Sequence, residues 1–157
     1  MHKVHRYHDI CAGHRVTGHE SKCQHLHGHN YRVHFTCVAD GLDSLGRVID
    51  FSVVKEKLCM WLEDNWDHKF LAWNEDPIMK YISTDIAFLA FESKAGKDAE
   101  AVMDNSMVWT DFNPTAENMA QHLVDVVGPA QLQGTGVRLQ YVLIEETAKC
   151  HASYGVE

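Results

Sequence analysis

An alternating run of apolar and polar residues constrains the fold of this chain most strongly. In the stretch NYRVHFTCVAD, residues 30–40, every second side chain from Tyr31 to Cys37 is apolar, whereas Arg32 and His34 between them are polar. This alternation is typical of a β-strand with one buried face and one exposed face. The run therefore predicts a half-buried strand near the start of the chain.

Two later segments change to the helical period. The first covers residues 50–66, where apolar side chains three and four apart form one stripe and Asp50 or Ser52 is available as N-cap. The second covers residues 113–129, with Asn113 as its candidate N-cap and a glycine–proline pair that is expected to end it. Both segments are predicted to be amphipathic helices packed against the sheet.

The remaining segments complete an α+β pattern. Further strands are predicted at residues 46–51, 136–148 and 150–157. The region between the two helices gives weaker signals. In it we expect a short helix at residues 76–83, a solvated loop at residues 93–101 and a short strand at residues 106–112. Strands joined mostly by hairpins favour an antiparallel sheet with helices on one face, in a single domain of residues 1–157.

Composition excludes several classes of partner. The chain of 157 residues has a formal net charge of −8 and no block of Lys or Arg, which argues against a broad nucleic-acid-binding face. Its longest apolar stretch, IAFLAF at residues 86–91, is too short to span a bilayer, and the N-terminal residues lack the apolar core of a signal peptide. We therefore expect a cytoplasmic protein without nucleic-acid or membrane partners.

Histidines beside the alternating run point to a metal site. His27 and His29 are two residues apart, so on a strand they project to the same face, the one predicted to be buried. With His14 on a neighbouring strand they would form the three-histidine set of a catalytic zinc site. Two hydrogen-bonded core histidines are the alternative. The spacing also leaves open whether Cys23 is a fourth ligand of a closed structural site or a separate base.

Six motifs, in order along the chain, resemble those of one enzyme family. They are AGHR, KC followed by LHGHNY, VIDFSVVK, DHKFL, FNPTAEN and IEET. This arrangement closely resembles the 6-pyruvoyltetrahydropterin synthase family, which includes the bacterial 6-carboxytetrahydropterin synthase of queuosine biosynthesis. The resemblance is weak only at residues 80–108. It implies the T-fold (tunnelling fold), with an antiparallel four-stranded sheet, two helices on one face and here an insertion before the second helix.

The resemblance also implies a catalytic centre that contains zinc. The zinc-ligand positions fall on His14, His27 and His29. The positions that transfer protons fall on Cys23, Asp67 and His68. Zinc would stabilise negative charge on the substrate's side-chain oxygens, while a thiolate or an Asp–His pair would remove a proton. On spacing alone, an Asp–His pair after a helix is more often a partner of the helix dipole.

Three further positions are implied to contact the pterin. Glu146 matches the carboxylate that anchors the aminopyrimidine edge, and Thr115 and Glu117 match additional contacts. Strand alternation alone does not choose between Glu145 and Glu146, because both phases of that strand are partly apolar. Helix capping and a first-turn acid are the structural alternatives for the other two. The chain departs from many relatives at Ala72, where they carry asparagine.

The implied substrate is dihydroneopterin triphosphate. Three residues separate Cys23 from the HGH motif. This short spacer resembles that of the compact bacterial members, which form 6-carboxytetrahydropterin and release acetaldehyde and triphosphate. The alternatives are the pyruvoyl-forming reaction and a non-catalytic, zinc-stabilised binding protein. The resemblance further implies homo-oligomers, trimers or hexamers, with active sites at the subunit interfaces.

Overall fold

One mixed sheet forms the centre of the computed structural model, which describes residues 1–92 and 96–157. Its strands are β1 (Lys3–His14), β2 (His27–Ala39), β3 (Lys69–Trp73), β4 (Met107–Thr110), β5 (Val137–Thr147) and β6 (Cys150–Gly155). In the described residues the strand order is β4-β3-β1-β2-β5-β6. The pairs β1–β2, β2–β5 and β5–β6 are antiparallel, which confirms the predicted four-stranded antiparallel sheet.

Two short strands extend this sheet beyond the four that were predicted for it. β3 runs parallel to the end of β1, and β4 runs parallel to β3, so the sheet is mixed at this side. β4 confirms the short strand expected at residues 106–112. β3 was not expected, because its five residues follow the first helix almost directly and carry too few alternations to be recognised.

The strand predicted at residues 46–51 is wrong, because this segment forms bends and leads into a helix. The side chain of Asp43 accepts hydrogen bonds from the backbone N–H groups of Leu45 and Arg47, both at 2.9 Å. Gly46 has a φ of 82°, a left-handed conformation that glycine adopts at little cost. The backbone donors are thus satisfied locally and do not join a ladder.

Among the described residues there are four helices, of which the first and the last along the chain cover one face of the antiparallel strands. They are α1 (residues 51–65, as Phe51–Val54, a π-helical turn Lys55–Cys59 and Met60–Asn65), α2 (Pro77–Glu92), α3 (Gly96–Ser106) and α4 (residues 116–131, as Ala116–His122, a π-helical turn Leu123–Val127 and Gly128–Gln131). The side chain of Asp50, one of the two candidate N-caps, accepts from the N–H of Ser52. α1 and α4 pack in one apolar core with the buried face of β2, where Tyr31, Val33 and Phe35 lie.

Both ends of α4 differ from the prediction. Its N-cap is Thr115, because the side chain of Asn113 forms two hydrogen bonds with the backbone of Thr17. The helix also continues past the glycine–proline pair. A Cβ on Gly128 would lie 2.7 Å from the Cβ of Leu139, so this glycine allows close packing of helix on sheet. The proline directly follows Gly128 after the π-helical turn Leu123–Val127, where the regular i to i−4 hydrogen-bond ladder is already interrupted.

The connection between β3 and α4 is largely helical. The short helix expected at residues 76–83 is confirmed and extends to Glu92 as α2. The loop expected at residues 93–101 is wrong for residues 96–101, which belong to α3, while residues 93–95 lie outside the described residues. No helix among the described residues is long and apolar enough to cross a membrane.

Candidate metal centre and active site

Three histidines meet at the ends of β1 and β2. His14 pairs directly with His27 in the ladder and Ala12 pairs with His29, so the three imidazoles project from the same face. Their ring centroids are 4.6 to 5.1 Å apart, and each ring offers a nitrogen within 4.8 Å of the others. Gly28 lets the strands lie close, since a Cβ there would lie 2.9 Å from the carbonyl oxygen of Ala12.

Hydrogen bonds leave lone pairs directed into this group. The Nδ1 of His14 donates to the carbonyl oxygen of Pro114 at 2.6 Å, and that of His27 donates to the carbonyl oxygen of His25 at 2.7 Å. In the neutral rings both Nε2 atoms are then acceptors, yet they lie 3.1 Å apart. The Nε2 of His29 is buried and has no hydrogen-bond partner among the described residues. A cation between these atoms would satisfy all three.

Burial keeps two of the rings, His14 and His29, in the neutral form that binds metals. Burial lowers the pKa of His14 to about 4, although its bond to the carbonyl oxygen of Pro114 raises it and the other two histidines lower it further. The pKa of His29 is also lowered, mainly by burial, against the opposing effect of Glu146. Neutral imidazoles bind metals without charge repulsion. The residues present therefore fit a divalent metal that prefers imidazole nitrogen.

The face of β5 that meets this centre is set by an irregularity in the sheet. The ladder between β2 and β5 shifts register between Thr36 and Cys37. Along β5 the buried side chains change phase accordingly, from Leu139 to Val142 and Ile144. A shift of one residue exchanges the two faces of a strand. The residues at the end of β5 that share a phase with Ile144 therefore face the histidines.

Glu146 and Glu145 consequently lie on opposite faces. The carboxylate of Glu146 lies 3.9 Å from the Nε2 of His14 and 4.0 Å from the Nε2 of His29. The carboxylate of Glu145 lies 3.5 Å from the Nε2 of His34, on the face away from the metal group. Of the two glutamates that the sequence left open, the structure brings Glu146 to the site. Its charge is also close enough to act on a bound cation.

Cys23 lies in the loop between β1 and β2, the two strands that carry the three histidines. It belongs to a single 3₁₀ turn, Lys22–Gln24, and its side chain is partly exposed. Among the described residues, the group of mutually close metal-binding atoms contains the three histidines and not this thiol. That the thiol acts as a base apart from the metal stays a prediction.

Asp67 and His68 form a hydrogen-bonded pair directly after α1. The Oδ2 of Asp67 lies 2.7 Å from the Nδ1 of His68, and its Oδ1 accepts the N–H of Cys11 at 2.8 Å. Burial raises the pKa of Asp67, but the Cys11 N–H and His68 outweigh it and lower the pKa below its usual value. His68 has a φ of 57°, a strained conformation for a residue other than glycine, and its side chain is 79% exposed.

The His68 side chain of this pair lines an open cavity. A cavity of about 540 Å³ is lined by His68 and also by His27 and His29. A carboxylate that fixes one nitrogen of an imidazole leaves the other nitrogen free to take or give a proton. Cys23 is not among the residues that line this cavity. His68 and two of the three histidines thus open into the same cavity.

Thr115 and Glu117 take the structural roles that were considered for them. The hydroxyl of Thr115 accepts from the N–H of Asn118 and caps α4, and Glu117 is an exposed acid in the first turn. Thr115 also follows Pro114, whose carbonyl oxygen holds His14. Both residues thus lie at the N-terminal end of α4, next to the proline that contacts His14. Their contact with a pterin stays a prediction.

Two contributions to the site were missed from the sequence. The carbonyl oxygen of Pro114 fixes the tautomer of His14 from 100 residues away, and a backbone atom leaves no signal in the residue type. Asp76 forms a buried ion pair with Arg15 at 2.5 Å. In sequence, an aspartate before a proline suggests a helix cap, which Asp76 also is, through the N–H of Ile78.

Comparisons with known proteins agree on the family. The family model described as 6-pyruvoyl tetrahydropterin synthase matches residues 3–157. The 6-carboxy-5,6,7,8-tetrahydropterin synthase of Rickettsia felis is 32% identical and covers 88% of this chain and 89% of its own. The enzyme of the same name from Rickettsia typhi is 33% identical, covering 90% and 91%.

Solved structures share the fold. An uncharacterized protein from Wolinella succinogenes superimposes with a TM-score of 0.78 at 23% identity, covering 99% of this chain and 98% of its own. The 6-pyruvoyl tetrahydropterin synthase of Caenorhabditis elegans gives a TM-score of 0.61 at 20% identity, covering 99% and 95%. At these identities the likeness concerns the fold alone.

Proposed function

Because the chain belongs to the 6-pyruvoyl tetrahydropterin synthase family, an enzyme family, we propose that it is a zinc-dependent 6-carboxytetrahydropterin synthase. Its substrate would be 7,8-dihydroneopterin triphosphate, and its products 6-carboxytetrahydropterin, acetaldehyde and triphosphate. The names of the relatives at 32–33% identity support this branch of the family. We place the reaction in queuosine biosynthesis, in the cytoplasm.

The observation that carries the proposal is the convergence of His14, His27 and His29 beside Glu146. Three neutral imidazoles with an open side are the donor set of catalytic zinc sites. Zinc held there would polarise the side-chain oxygens of the substrate and stabilise the negative charge that develops on them. A structural role alone would not require a carboxylate 4 Å from two of the ligands.

Binding and orientation of the pterin fall to the end of β5 and the start of α4. The carboxylate of Glu146 would accept two parallel hydrogen bonds from the ring N–H and amino group, which fixes the ring in one plane. Thr115 and Glu117 would contact the ring from the first turn of α4. The aminopyrimidine edge is complementary to a carboxylate in the same way as a guanidinium group is.

Proton transfer falls to two groups. The thiolate of Cys23 would remove a proton from the substrate's side chain, since the thiol is outside the group of mutually close metal-binding atoms. His68, oriented by Asp67 through its Nδ1, would take or return a proton at its other ring nitrogen. Two separate groups would allow a proton to be removed at one atom of the substrate and returned at another.

We also propose a homo-oligomer, a trimer or hexamer with active sites at the subunit interfaces. The described sheet ends in β4 on one side and β6 on the other, and an edge strand presents free backbone groups that can pair with another chain. The high exposure of His68 is consistent with a site that a second subunit completes.

Product analysis tests the proposed reaction. Zinc-loaded protein is incubated with dihydroneopterin triphosphate, and the pterin is identified by mass while acetaldehyde is assayed. We expect 6-carboxytetrahydropterin and acetaldehyde in equal amounts. Formation of 6-pyruvoyltetrahydropterin without acetaldehyde would assign the chain to the other reaction of the family, and no conversion would favour a zinc-stabilised binding protein.

A further inference from the structure

A buried ion pair ties the loop of Cys23 to the long connection between β3 and α4. Arg15 is 8% exposed and Asp76 is fully buried, and their side chains meet at 2.5 Å. Arg15 directly follows His14 at the end of β1, whereas Asp76 stands immediately before α2. Charges are rarely buried without a specific partner, because removing them from water is costly.

The guanidinium group of Arg15 also binds the backbone that carries the thiol. Its Nη1 donates to the carbonyl oxygen of Gln24 at 2.6 Å, directly after Cys23. On the other side, the N–H of Val16 donates to the carbonyl oxygen of Cys23 at 2.8 Å. The turn is therefore held by two hydrogen bonds from the end of β1, and one of them comes from a charged group.

Asp76 is itself fixed and can hold the arginine in place. Its Oδ1 accepts from the N–H of Ile78 at 3.0 Å and of Met79 at 3.4 Å, while Oδ2 binds Arg15. Such a carboxylate has little freedom to move. The fork of the guanidinium group binds Asp76 with one nitrogen and Gln24 with another, a geometry that lysine does not reproduce.

We propose that Arg15, held by Asp76, is a positioning residue that sets the location of the Cys23 thiol for proton transfer. The connection between β3 and α4 thereby takes part in the active site through one buried carboxylate. The catalytic part of this inference rests on the proposed function. The structural part, that the pair orders the turn of Cys23, is independent of it.

The test uses the zinc-loaded full chain and the variant Arg15→Lys. Lysine keeps the positive charge next to Asp76, so the fold is retained, but loses the bond to Gln24. Alkylation by iodoacetamide is followed at each cysteine by mass spectrometry, together with zinc content, kcat and KM. We expect alkylation of Cys23 to become about 3- to 10-fold faster, because a loosened turn exposes a side chain that is now partly covered.

Turnover is expected to change in the opposite direction. A thiol displaced by about 1 Å lowers kcat roughly 10- to 100-fold, while KM changes by less than about threefold. The variant Asp76→Asn, which keeps an oxygen for the N–H groups of α2, is expected to give the same pattern. The matched control is Arg47→Lys, because Arg47 is an exposed arginine with two acidic partners. This substitution should change neither the alkylation rate of Cys23 nor kcat.

Internal controls distinguish loosening of the turn from general unfolding. Cys37 and Cys59 are buried, so their alkylation reports global unfolding. Cys150 is exposed, so its alkylation rate reports the reactivity of the reagent itself. An unchanged Cys23 rate in Arg15→Lys would overturn the proposal, as would faster alkylation of Cys37 and Cys59 as well. If the wild-type protein converts no pterin, the proposed function fails, and the alkylation rates alone still decide whether the pair orders the turn.

Discussion

The metal-free protein is expected to lose stability in a defined way as the pH falls, because His14 is buried as a neutral base. In the unfolded chain its pKa is 6.5, whereas in the folded chain burial lowers the pKa to about 4. Between these values the unfolded state binds more protons than the folded state. The free energy of unfolding therefore decreases as the pH is lowered. The loss begins near pH 6.5 and is complete below pH 4.

The size of the effect follows from the difference of the two pKa values. A full difference of about 2.5 units corresponds to about 3 kcal/mol, of which about 2 kcal/mol is lost between pH 7 and pH 5. Urea unfolding of the metal-free protein at several pH values measures it. The same series on His14→Gln isolates the contribution of this histidine, because the other titrating groups are common to both proteins.

The variant should have a flatter pH profile than the wild type by about 2 kcal/mol over this interval. Glutamine has no proton to gain, and its amide can still donate to the carbonyl oxygen of Pro114. Equal slopes for the two proteins would show that His14 is not buried in its neutral form. Zinc should make the wild-type profile steeper, because protons compete with the metal for the same nitrogens.

Three further outcomes are expected. Cys23→Ala should keep the fold and bind zinc, but its turnover should fall by more than about 100-fold, whereas the control Cys150→Ala should remain active. Loss of zinc from Cys23→Ala, measured by metal analysis, would indicate that Cys23 is a fourth ligand. Glu146→Gln should weaken pterin binding by roughly 2–3 kcal/mol with zinc retained, and unchanged affinity by calorimetry would contradict the anchoring role. Gly128→Ala should lower the free energy of unfolding by about 1–2 kcal/mol, because its Cβ would lie 2.7 Å from that of Leu139; a stability equal to wild type in urea would show that the packing adapts.

Local periodicity was sufficient for the parts of the site that lie within one regular element. His27 and His29 could be placed on one face because β2 is a regular strand up to Thr36, where the ladder first shifts. The face on which Glu146 lies could not be predicted from periodicity, because it depends on that shift in register. A shift between two strands has no signature in the sequence of either strand alone. The register between β1 and β2 then brought His14 opposite His27, which spacing could suggest but not fix.

Long-range hydrogen bonds account for most of what was missed. Asn113 was a reasonable N-cap by residue type, but its side chain is used by the backbone of Thr17, so the cap falls to Thr115. The buried carboxylate of Asp76 likewise depends on an arginine 61 residues earlier in the chain. Such contacts are decided by tertiary packing. The strand predicted at residues 46–51 fails for a local reason instead, because the side chain of Asp43 accepts hydrogen bonds from backbone N–H groups in and next to this segment.

In the proposed function, a metal held by the three histidines supports the conversion of a pterin triphosphate. Its most direct test is a titration of metal-free protein with zinc, in which acetaldehyde formed from dihydroneopterin triphosphate is measured at each step. We expect the rate to rise in proportion to zinc and to reach a plateau at one ion per chain. A fully occupied site that produces no acetaldehyde, or a rate that does not depend on zinc, would contradict it.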